Sequence, residues 1–328
     1  MVLSEFLDEW NGRSATLLVH TSGSTGKPKL IQVEKKRMEE SARITCNFLG
    51  LQPDDTALLC LPLDYIAGKM MVVRALTCGL ELIEVPPAGH PLACLVGKGR
   101  HIDFAAMVPM QVYNSLQVSE ECKLLQTIRH LIIGGGAIDD AMEQQLRTFP
   151  NAVWSTYGMT ETLSHIALRR LSGAEASLWY TPFESVRVGL NKDNCLVIDA
   201  PRVCNAVLTT NDVAEMAEDG RHFRIIGRKD NVIDSGGIKI QAEEVERLLR
   251  PYMPEPYLIT KRHDGEFGEA VVLLVQSADV EQVREVCRRA LPKYWQPRCI
   301  LSVSAIPMTQ TGKLDRARAE CMASRGEE

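Results

Sequence analysis

Short apolar runs alternate with amphipathic stretches over the first two-thirds of the chain. The apolar runs predict strands at 15–20, 55–62, 80–85, 104–109, 128–135 and 151–158. Between them, apolar residues recur at three- and four-residue spacing, which predicts helices at 34–50, 66–78 and 139–149. Strands that alternate with helices indicate an α/β fold, in which helices cover both faces of a mostly parallel sheet.

The pattern changes near residue 181 to short alternating runs separated by turn residues, which predict antiparallel hairpins. A last unit follows, with predicted helices at 241–250 and 279–290, a hairpin around 262–268 and a strand at 299–304. That order predicts a small α+β C-terminal domain of ordinary size. The polar turn GRKD at 227–230 separates two hydrophobic runs. We therefore expect a large domain at 1–229 and a small one at 230–328.

Composition narrows the class of protein. The 328 residues are 45% hydrophobic and 24% charged, as in an ordinary globular protein, and the net charge of -5 gives no reason to expect nucleic acid as a partner. No apolar stretch approaches the roughly 20 residues that span a bilayer. The start, MVLSEFLDEW, lacks the pattern of a secretion signal, and ten scattered cysteines form no CxxC pair. We therefore expect free thiols, a cytoplasmic protein and no structural zinc.

The stretch HTSGSTGKPK at 20–29 is the first candidate for chemistry. Backbone amides of a Gly-rich turn can surround an anion, and Ser, Thr and Lys side chains add donors and charge. The spacing is not that of a P-loop, because Pro28 follows Lys27 where a Ser or Thr should stand. Alone, the stretch fits a phosphate-binding loop or a plain surface loop equally well.

Four further motifs follow in the sequence. They are STYGMTET at 155–162, LTTNDVAE at 208–215, FRIIGRKDNVIDSGGIKI at 223–240 and PMTQTGKLDR at 307–316. With the opening loop, they resemble in order and rough spacing the signature motifs of the adenylate-forming enzymes, which include acyl-CoA synthetases, peptide-synthetase adenylation domains and luciferases. The resemblance runs from residue 21 to residue 316. It implies an ATP-dependent, AMP-forming enzyme that makes an acyl-adenylate.

The resemblance implies roles for individual residues. Lys313 matches the catalytic lysine, Glu161 the Mg²⁺ ligand and Thr160 a hydroxyl near the α-phosphate. Fixed cations suit this reaction, because negative charge develops on the phosphate during attack. The opening loop would hold the pyrophosphate end of ATP through Thr21, Ser22, Gly23, Ser24, Thr25, Gly26, Lys27 and Lys29.

The nucleoside end of ATP has its own matches. Asp212, which we expect at the end of a strand, resembles the residue that accepts both ribose hydroxyls, with Arg228 as its partner. Tyr157, followed by Gly158, would stack on the adenine ring. The other face of the ring would lie on a flat segment of small residues, Gly134, Gly135, Gly136 and Ala137.

The thioester half-reaction also has candidate residues. Asp230 falls where the family has its hinge, at which a mobile small domain turns after adenylation. Ser235, Gly236 and Gly237 would then line the channel for coenzyme A, although Gly-Gly also marks ordinary turns. No carrier or condensation domain follows, which favours a free-standing acid–CoA ligase.

The segment LPLDYIAGKMMVVRAL at 61–76 contains residues that indicate which carboxylic acid is the substrate. Tyr65 resembles the residue that guards the acyl pocket, and Lys69 and Arg74 lie among apolar neighbours. A buried cation needs an anionic partner, whereas an exposed one needs none. A second carboxylate on the acid would satisfy Arg74. With Ser164 and His165, this resembles the o-succinylbenzoate–CoA ligases of menaquinone biosynthesis; His165 is equally well explained as a structural histidine.

Alternatives remain open at this stage. The chain could be a ligase for another acid, with Arg74 on the surface, or a nucleotide-binding homologue without turnover. Only 20 residues precede the Gly-rich loop, whereas family members commonly have well over a hundred. We therefore expect either a compact branch of the family or a partner subunit, such as a second copy in a homo-oligomer, that covers the sheet edge. Asn211 replaces a usual glycine, and we expect it to tolerate the positive φ of a turn there.

Overall fold

The computed structural model describes residues 1–20, 30–308 and 314–325, with His20 described by its backbone alone. Contacts divide the chain into two compact units. The first comprises Met1–Gly189, Val197–Leu208 and Met216–Arg224, and the second comprises Leu190–Leu196, Thr209–Glu215 and Ile225–Glu328. The boundary between residues 229 and 230 stays a prediction.

The first unit alternates strands and helices up to its last strands. The strands are β1 (Thr16–His20), β2 (Leu30–Glu34), β3 (Thr56–Leu59), β4 (Glu81–Glu84), β5 (Phe104–Met107), β6 (His130–Ile133), β7 (Ala152–Gly158), β8 (His165–Arg170) and β9 (Thr181–Pro182). The helices are α1 (Leu3–Asn11), α2 (Lys35–Leu49), α3 (Ile66–Cys78), α4 (Pro109–Leu116), α5 (Ser119–Leu125) and α6 (Asp140–Arg147).

Seven strands form one sheet in the order β4-β3-β5-β6-β7-β8-β9. The pairs from β4 to β7 are parallel, and β8 and β9 extend the sheet antiparallel. The predicted α/β class with a mostly parallel sheet is therefore confirmed. The run at 15–20 was wrongly counted with this sheet. It forms β1, which pairs antiparallel with β2 in a separate two-stranded sheet.

Local signals explain where the helices begin and end. α2 and α3 both end at glycines in the left-handed region, Gly50 with φ 66° and Gly79 with φ 71°. α4 begins with Pro109, whose missing amide hydrogen costs nothing in the first turn. The side chain of Asp139 caps α6 by accepting a hydrogen bond from the amide of Met142 at 2.8 Å.

The large sheet is buried on both faces. Leu58 of β3 and Leu131 of β6 pack in one cluster with Val112 of α4 and Leu146 of α6. The side chains that alternate with Leu58 point to the opposite face, and they are also buried, Ala57 at 0% and Leu59 at 2% exposure. Helix α3 packs against β3 and against α2. Layers on both faces leave the ends of the strands as the places where loops can meet a ligand.

A four-stranded sheet with the order β10-β11-β12-β13 follows in sequence. Its strands are β10 (Arg187–Leu190), β11 (Cys195–Asp199), β12 (Leu208–Met216) and β13 (Phe223–Arg228). This region carries the short alternating runs from which antiparallel hairpins were predicted.

The rest of the second unit is the predicted small α+β fold. Its strands are β14 (Val232–Ser235), β15 (Ile238–Gln241), β16 (Tyr257–Asp264), β17 (Gly268–Val275) and β18 (Cys299–Ser302), and its helices are α7 (Ala242–Leu249), α8 (Val280–Ala290) and α9 (Arg316–Arg325). The predicted hairpin is β16–β17, and β18 pairs parallel with β17.

Strand alternation builds two small cores on this sheet. Val271 and Leu273 pack with α7 and α8, whereas Val272 and Leu274 pack with Ala319 of α9. Side chains two residues apart share a face, so the run VVLLV of β17 serves both layers.

Two expectations from composition can be compared with the structure. All ten cysteines lie in the described part of the chain as free thiols. Across residues 1–20, 30–308 and 314–325, no helix combines the length and the apolar character needed to cross a membrane.

Candidate functional site

Loops that carry predicted site residues gather at one edge of the large sheet. Parallel β6 and β7 lie side by side, with Ile133 paired to Ser155, so their carboxyl ends meet at that edge. The segment Gly134, Gly135, Gly136 and Ala137 follows β6, and Thr160 and Glu161 follow β7. This is the place where ligands bind in open α/β sheets.

Two glycines at this edge are required by close contacts. A Cβ on Gly134 would lie 2.2 Å from Oγ1 of Thr156, and one on Gly158 would lie 2.3 Å from the carbonyl oxygen of Ser164. Gly135 adopts a left-handed φ of 82°. The contact at Gly134 and the backbone conformation at Gly135 thus favour glycine, and the small residues of this segment give the flat shape expected of a surface against a purine ring.

Aromatic rings flank Tyr157. The ring of Phe223 lies edge-on at 5.2 Å from that of Tyr157, and Tyr180 lies at 5.8 Å. Tyr180 also stacks on Phe223 at 5.5 Å, and its hydroxyl is 2.8 Å from Oγ of Ser155. This packing fixes the plane of the Tyr157 ring.

In the turn after β7, two neighbouring polar residues differ in their exposure to solvent. Thr160–Thr162 forms one 3₁₀ turn, with Thr160 buried at 8% exposure and Glu161 exposed. Leu163, which follows, has a left-handed φ of 66°, and the hydroxyl of Thr162 donates to the carbonyl of Ser164 at 2.7 Å. The turn thus presents a carboxylate at the carboxyl end of β7.

Arg74 lies in the interior of the first unit. Its residue is 2% exposed, and its guanidinium donates through Nη2 to Oγ of Ser164 at 2.7 Å. Within residues 1–20, 30–308 and 314–325, the acidic groups facing the guanidinium are the thiols of Cys46 and Cys78; no carboxylate pairs with it, and its Nε lacks a hydrogen-bond partner. Burial lowers the pKa of Arg74 from 12.5 to about 10. The structure therefore contains a buried charge that no described carboxylate neutralises; its partners include the hydroxyl of Ser164 and the ring of Phe104, whose centre lies 5.9 Å away.

Three of the predicted acid-site residues come together around this guanidinium. Ser164 connects Arg74 to His165, because its Oγ lies 3.2 Å from Nδ1 of the imidazole. On the other side of the ring, Nε2 lies 3.1 Å from Oγ1 of Thr45 in α2. Burial, followed by the charge of Arg74, lowers the pKa of His165 well below its usual value. The imidazole is therefore neutral at physiological pH.

Lys69 and Tyr65 do not join this cluster. The ammonium of Lys69 lies 3.6 Å from a carboxylate oxygen of Glu9 and 4.9 Å from the ring centre of Phe6, both on α1. Tyr65 precedes α3 and is 42% exposed. Their predicted role at the acid remains a prediction.

The second unit brings together three residues predicted for the ribose and the hinge. Arg228 donates to Oδ1 of Asp212 at 3.1 Å and to Oδ2 of Asp230 at 3.0 Å. Asn211 also donates to Asp230, at 3.3 Å. Two predictions about the backbone here were wrong. Asp212 lies in the middle of β12 rather than at a strand end, and Asn211 is an extended strand residue rather than a turn residue with positive φ.

The segment Ser235, Gly236 and Gly237 contains the turn of a β-hairpin. Ser235 pairs with Ile238, and the two glycines between them have φ of 60° and 80°, as a two-residue hairpin loop requires. The amide of Gly236 donates to the carbonyl of Phe267 at 2.7 Å. The alternative explanation as a turn before the next strand is therefore confirmed, and the role toward coenzyme A stays a prediction.

Part of the predicted site lies outside the described residues. This holds for the pyrophosphate loop at 21–29 and for Lys313. Of the residues that are described, Thr45, Tyr180 and Phe223 were missed. A buried threonine on the apolar side of α2 is a weak signal, and the aromatic partners of Tyr157 are distant in sequence.

Comparison with known proteins agrees with this geometry. The family described as AMP-binding enzyme matches residues 7–192, which is more than half of the chain. A 2-succinylbenzoate–CoA ligase of Bacillus thuringiensis subsp. konkukian is 24% identical, over 94% of this chain and 70% of that protein. Another of the same name, from Enterococcus faecalis, is 25% identical, over 96% of this chain and 71% of that one.

Solved structures are similar as well. An acyl-CoA synthetase (AMP-forming)/AMP-acid ligase II-like protein of Dyadobacter fermentans is 34% identical, with a TM-score of 0.65, and the match covers 97% of this chain and 92% of that one. O-succinylbenzoate coenzyme A synthetase of Bacillus subtilis, solved with ATP and magnesium, has a TM-score of 0.75 at 21% identity, over 92% and 69% of the two chains. That likeness is one of fold. The chain belongs to the AMP-binding enzyme family and, as its motifs predicted, it is an AMP-forming acid–CoA ligase.

Proposed function

We propose that this ligase activates an acid with two carboxylates, and that the acid is o-succinylbenzoate, the substrate of the menaquinone pathway. The observation that carries the proposal is Arg74, a buried guanidinium to which no described carboxylate is paired. One carboxylate of the acid would react with ATP, and the other would be bound by Arg74.

Energetics support a ligand role for Arg74. The fall of its pKa from 12.5 to about 10 corresponds to about 3 kcal/mol of folding free energy at neutral pH. During evolution, an arginine that destabilises the fold by this amount is expected to be replaced by an uncharged residue unless its charge serves a function. A carboxylate would reach the guanidinium from the side of Ser164, whose side chain is half-buried, and would form a charge-assisted, bidentate contact.

We propose ATP, Mg²⁺ and coenzyme A as the other reactants. Glu161 is an exposed carboxylate beside the buried hydroxyl of Thr160. A magnesium ion bound to ATP needs only one or two protein carboxylates, since phosphates and water supply its other ligands, so this residue fits it. When bound, the ion would lower the negative charge of the departing pyrophosphate.

The remaining residues would bind and orient ATP. Gly134 to Ala137 and Tyr157 would hold the adenine, and the carboxylate of Asp212, oriented by Arg228, would accept hydrogen bonds from the ribose. Lys313 would stabilise charge on the α-phosphate, with residues 21–29 at the pyrophosphate. For the thioester step, we propose Asp230 as the hinge between domains at 1–229 and 230–328, and Ser235, Gly236 and Gly237 at the pantetheine.

The test measures AMP release with ATP, coenzyme A and three matched acids. These are o-succinylbenzoate, 3-benzoylpropionate, which lacks its ring carboxylate, and 2-butyrylbenzoate, which lacks its side-chain carboxylate. The analogue that lacks the reacting carboxylate should release no AMP. We expect kcat/KM for o-succinylbenzoate to exceed that of the other analogue by about 100-fold, as a buried charge-assisted contact contributes about 3 kcal/mol. In Arg74→Met the preference should fall to within a few-fold, with the KM for ATP unchanged.

Two outcomes would contradict the proposal in different ways. Equal turnover of o-succinylbenzoate and of the analogue that keeps the reacting carboxylate would show that no second carboxylate is recognised. A strong preference that survives in Arg74→Met would retain the dicarboxylate and remove Arg74 as its ligand. Lys313→Ala serves as the control for catalysis, because it should lose adenylation with any acid while the protein still binds ATP.

A further inference from the structure

A row of buried and partly buried hydrogen bonds links the Arg74 guanidinium to helix α2. It passes from Arg74 to Ser164, from Ser164 to His165 and from His165 to Thr45, at 2.7, 3.2 and 3.1 Å. It ends where the hydroxyl of Thr45 meets the carbonyl of Ser41 at 3.1 Å. Thr45 is 0% exposed and His165 is 7% exposed, so water does not compete at the His165–Thr45 end of the row, whereas Ser164 is half-buried.

One assignment of the hydrogens satisfies every group in the row. The hydroxyl of Thr45 donates to the carbonyl of Ser41, which can only accept. Oγ1 of Thr45 must therefore accept from His165, which places the imidazole hydrogen on Nε2. In a neutral ring Nδ1 is then an acceptor, so the hydroxyl of Ser164 donates to it.

This order leaves Ser164 with a single orientation. Because its hydrogen points to His165, the lone pairs of Oγ face Arg74 and accept the Nη2 hydrogen. In the reverse tautomer, Nδ1–H would donate to Oγ of Ser164, and the hydroxyl hydrogen of Ser164 would have no fixed acceptor in the row. The Nε2–H tautomer of His165 thus gives the Ser164 hydroxyl one orientation toward Arg74.

We infer that Thr45 and His165 are positioning residues for acid specificity, which hold the Arg74 guanidinium toward the second carboxylate through the tautomer of His165. This inference rests on the proposed function, because it explains how Arg74 is held in position before the second carboxylate of the acid binds. Neither residue needs to touch the acid. Pre-orientation of one charged donor lowers the cost of ordering it when the ligand binds.

The first experiment compares Thr45→Val with Thr45→Ser. Valine keeps the shape and loses the hydroxyl, whereas serine keeps the hydroxyl. We expect Thr45→Val to raise the KM for o-succinylbenzoate about tenfold, near the value of one hydrogen bond to a charged group. The kcat, the KM for ATP and the kcat/KM for whichever single-carboxylate analogue turns over should stay unchanged. Thr45→Ser should restore the wild-type KM.

A second pair of variants covers the case in which Thr45→Val does not fold. Asparagine at residue 165 places an amide oxygen near the Nδ1 position, where it can accept from Ser164. Glutamine places its amide near the Nε2 position, where it can reach only Thr45. We expect His165→Asn to keep more of the preference for o-succinylbenzoate than His165→Gln. In the His165→Asn background, Thr45→Val should have no further effect.

Nitrogen-15 NMR of the histidine-labelled protein tests the arrangement without any substrate. We expect the Nε2–H tautomer of His165 in the wild type and loss of that tautomer in Thr45→Val. Hydrogen on Nδ1 in the wild type would overturn the inference. So would equal losses for all acids in Thr45→Val, or no rescue by serine. If the wild type shows no dicarboxylate preference, the proposed function fails, and the NMR result alone then decides the hydrogen-bond arrangement.

Discussion

Gly158 lies directly against the backbone of Ser164, and a Cβ at residue 158 would stand 2.3 Å from the Ser164 carbonyl oxygen. This contact joins the end of β7 to the start of β8, between the turn that carries Glu161 and the cluster of Arg74. Since the obstacle is backbone rather than a flexible side chain, a methyl group there must push two strands apart.

We therefore expect Gly158→Ala to lower the free energy of unfolding by about 1–3 kcal/mol, the usual cost of overpacking. The matched control is Gly189→Ala, because a Cβ at Gly189 meets no atom within 4 Å. Urea denaturation of both variants gives the comparison. A Gly158→Ala protein as stable as the control would show that β7 and β8 can separate at little cost.

Two buried cations on α3 should respond in opposite ways to the same substitution. Arg74 has no paired carboxylate in the described part of the chain, so Arg74→Met is expected to leave the melting temperature unchanged or to raise it. Lys69 lies 3.6 Å from Glu9, so Lys69→Met leaves that carboxylate unpaired and should destabilise the fold by about 1–3 kcal/mol. Differential scanning calorimetry of the two variants measures the direction of each change in melting temperature. A lower melting temperature for Arg74→Met than for Lys69→Met would contradict the uncompensated-charge argument.

Asp212→Asn should weaken nucleotide binding. The substitution keeps the shape of the side chain and removes the charge that pairs with Arg228 at 3.1 Å and that we propose accepts the ribose hydroxyls. We expect the affinity for AMP, measured by calorimetric titration, to fall about 10- to 100-fold, the value of one or two charge-assisted hydrogen bonds. Asp8→Asn, which makes the same charge change at an exposed position of α1, is the control. Equal AMP affinity in the two variants would remove Asp212 from the ribose site.

Stability should fall in mild acid partly because of His130. Burial, followed by the charges of Arg129 and Arg170, lowers the pKa of His130 from 6.5 to about 4. Between these values the unfolded chain binds a proton that the folded chain does not, so the stabilisation is complete above pH 6.5 and is lost toward pH 4.

Because His130 is only partly buried, we expect His130→Leu to reduce the loss of stability between pH 7 and 4.5 by about 1–2 kcal/mol. His263→Leu, the same substitution at an exposed position, is the matched control. Urea denaturation at the two pH values measures the difference. An unchanged acid sensitivity in His130→Leu would place the titrating group elsewhere.

The sequence was sufficient for the layers of the fold and for the family, because both rest on local patterns. Alternating strand and helix periods were enough for the α/β class, and glycines marked the ends of α2 and α3. The sequence was insufficient where the sheet to which a strand belongs depends on which other strand pairs with it. The apolar run at 15–20 has the composition of a sheet strand, but its local pattern does not reveal that β2 is its partner.

Tertiary pairing also overrode local propensity in the ribose motif. Asn211 and Asp212 favour turns, yet β12 continues through both of them as a strand of the four-stranded sheet. Within the acid site, Arg74, Ser164 and His165 were found by resemblance, whereas Thr45 was not. A threonine on an apolar helix face has no motif, and only the position of the His165 ring gives it a role.

The hydrogen-bond row that ends at Thr45 also has a consequence for how its residues evolve. On the proposed role of Arg74, a lineage that changes to acids with one carboxylate would no longer need the guanidinium, and loss of Arg74 would relax selection on Ser164, His165 and Thr45 at once. The four positions should therefore vary together among homologues, with leucine or methionine in place of the arginine accompanied by apolar residues on α2. Their joint presence in a genome would mark enzymes for dicarboxylic acids before any assay is run.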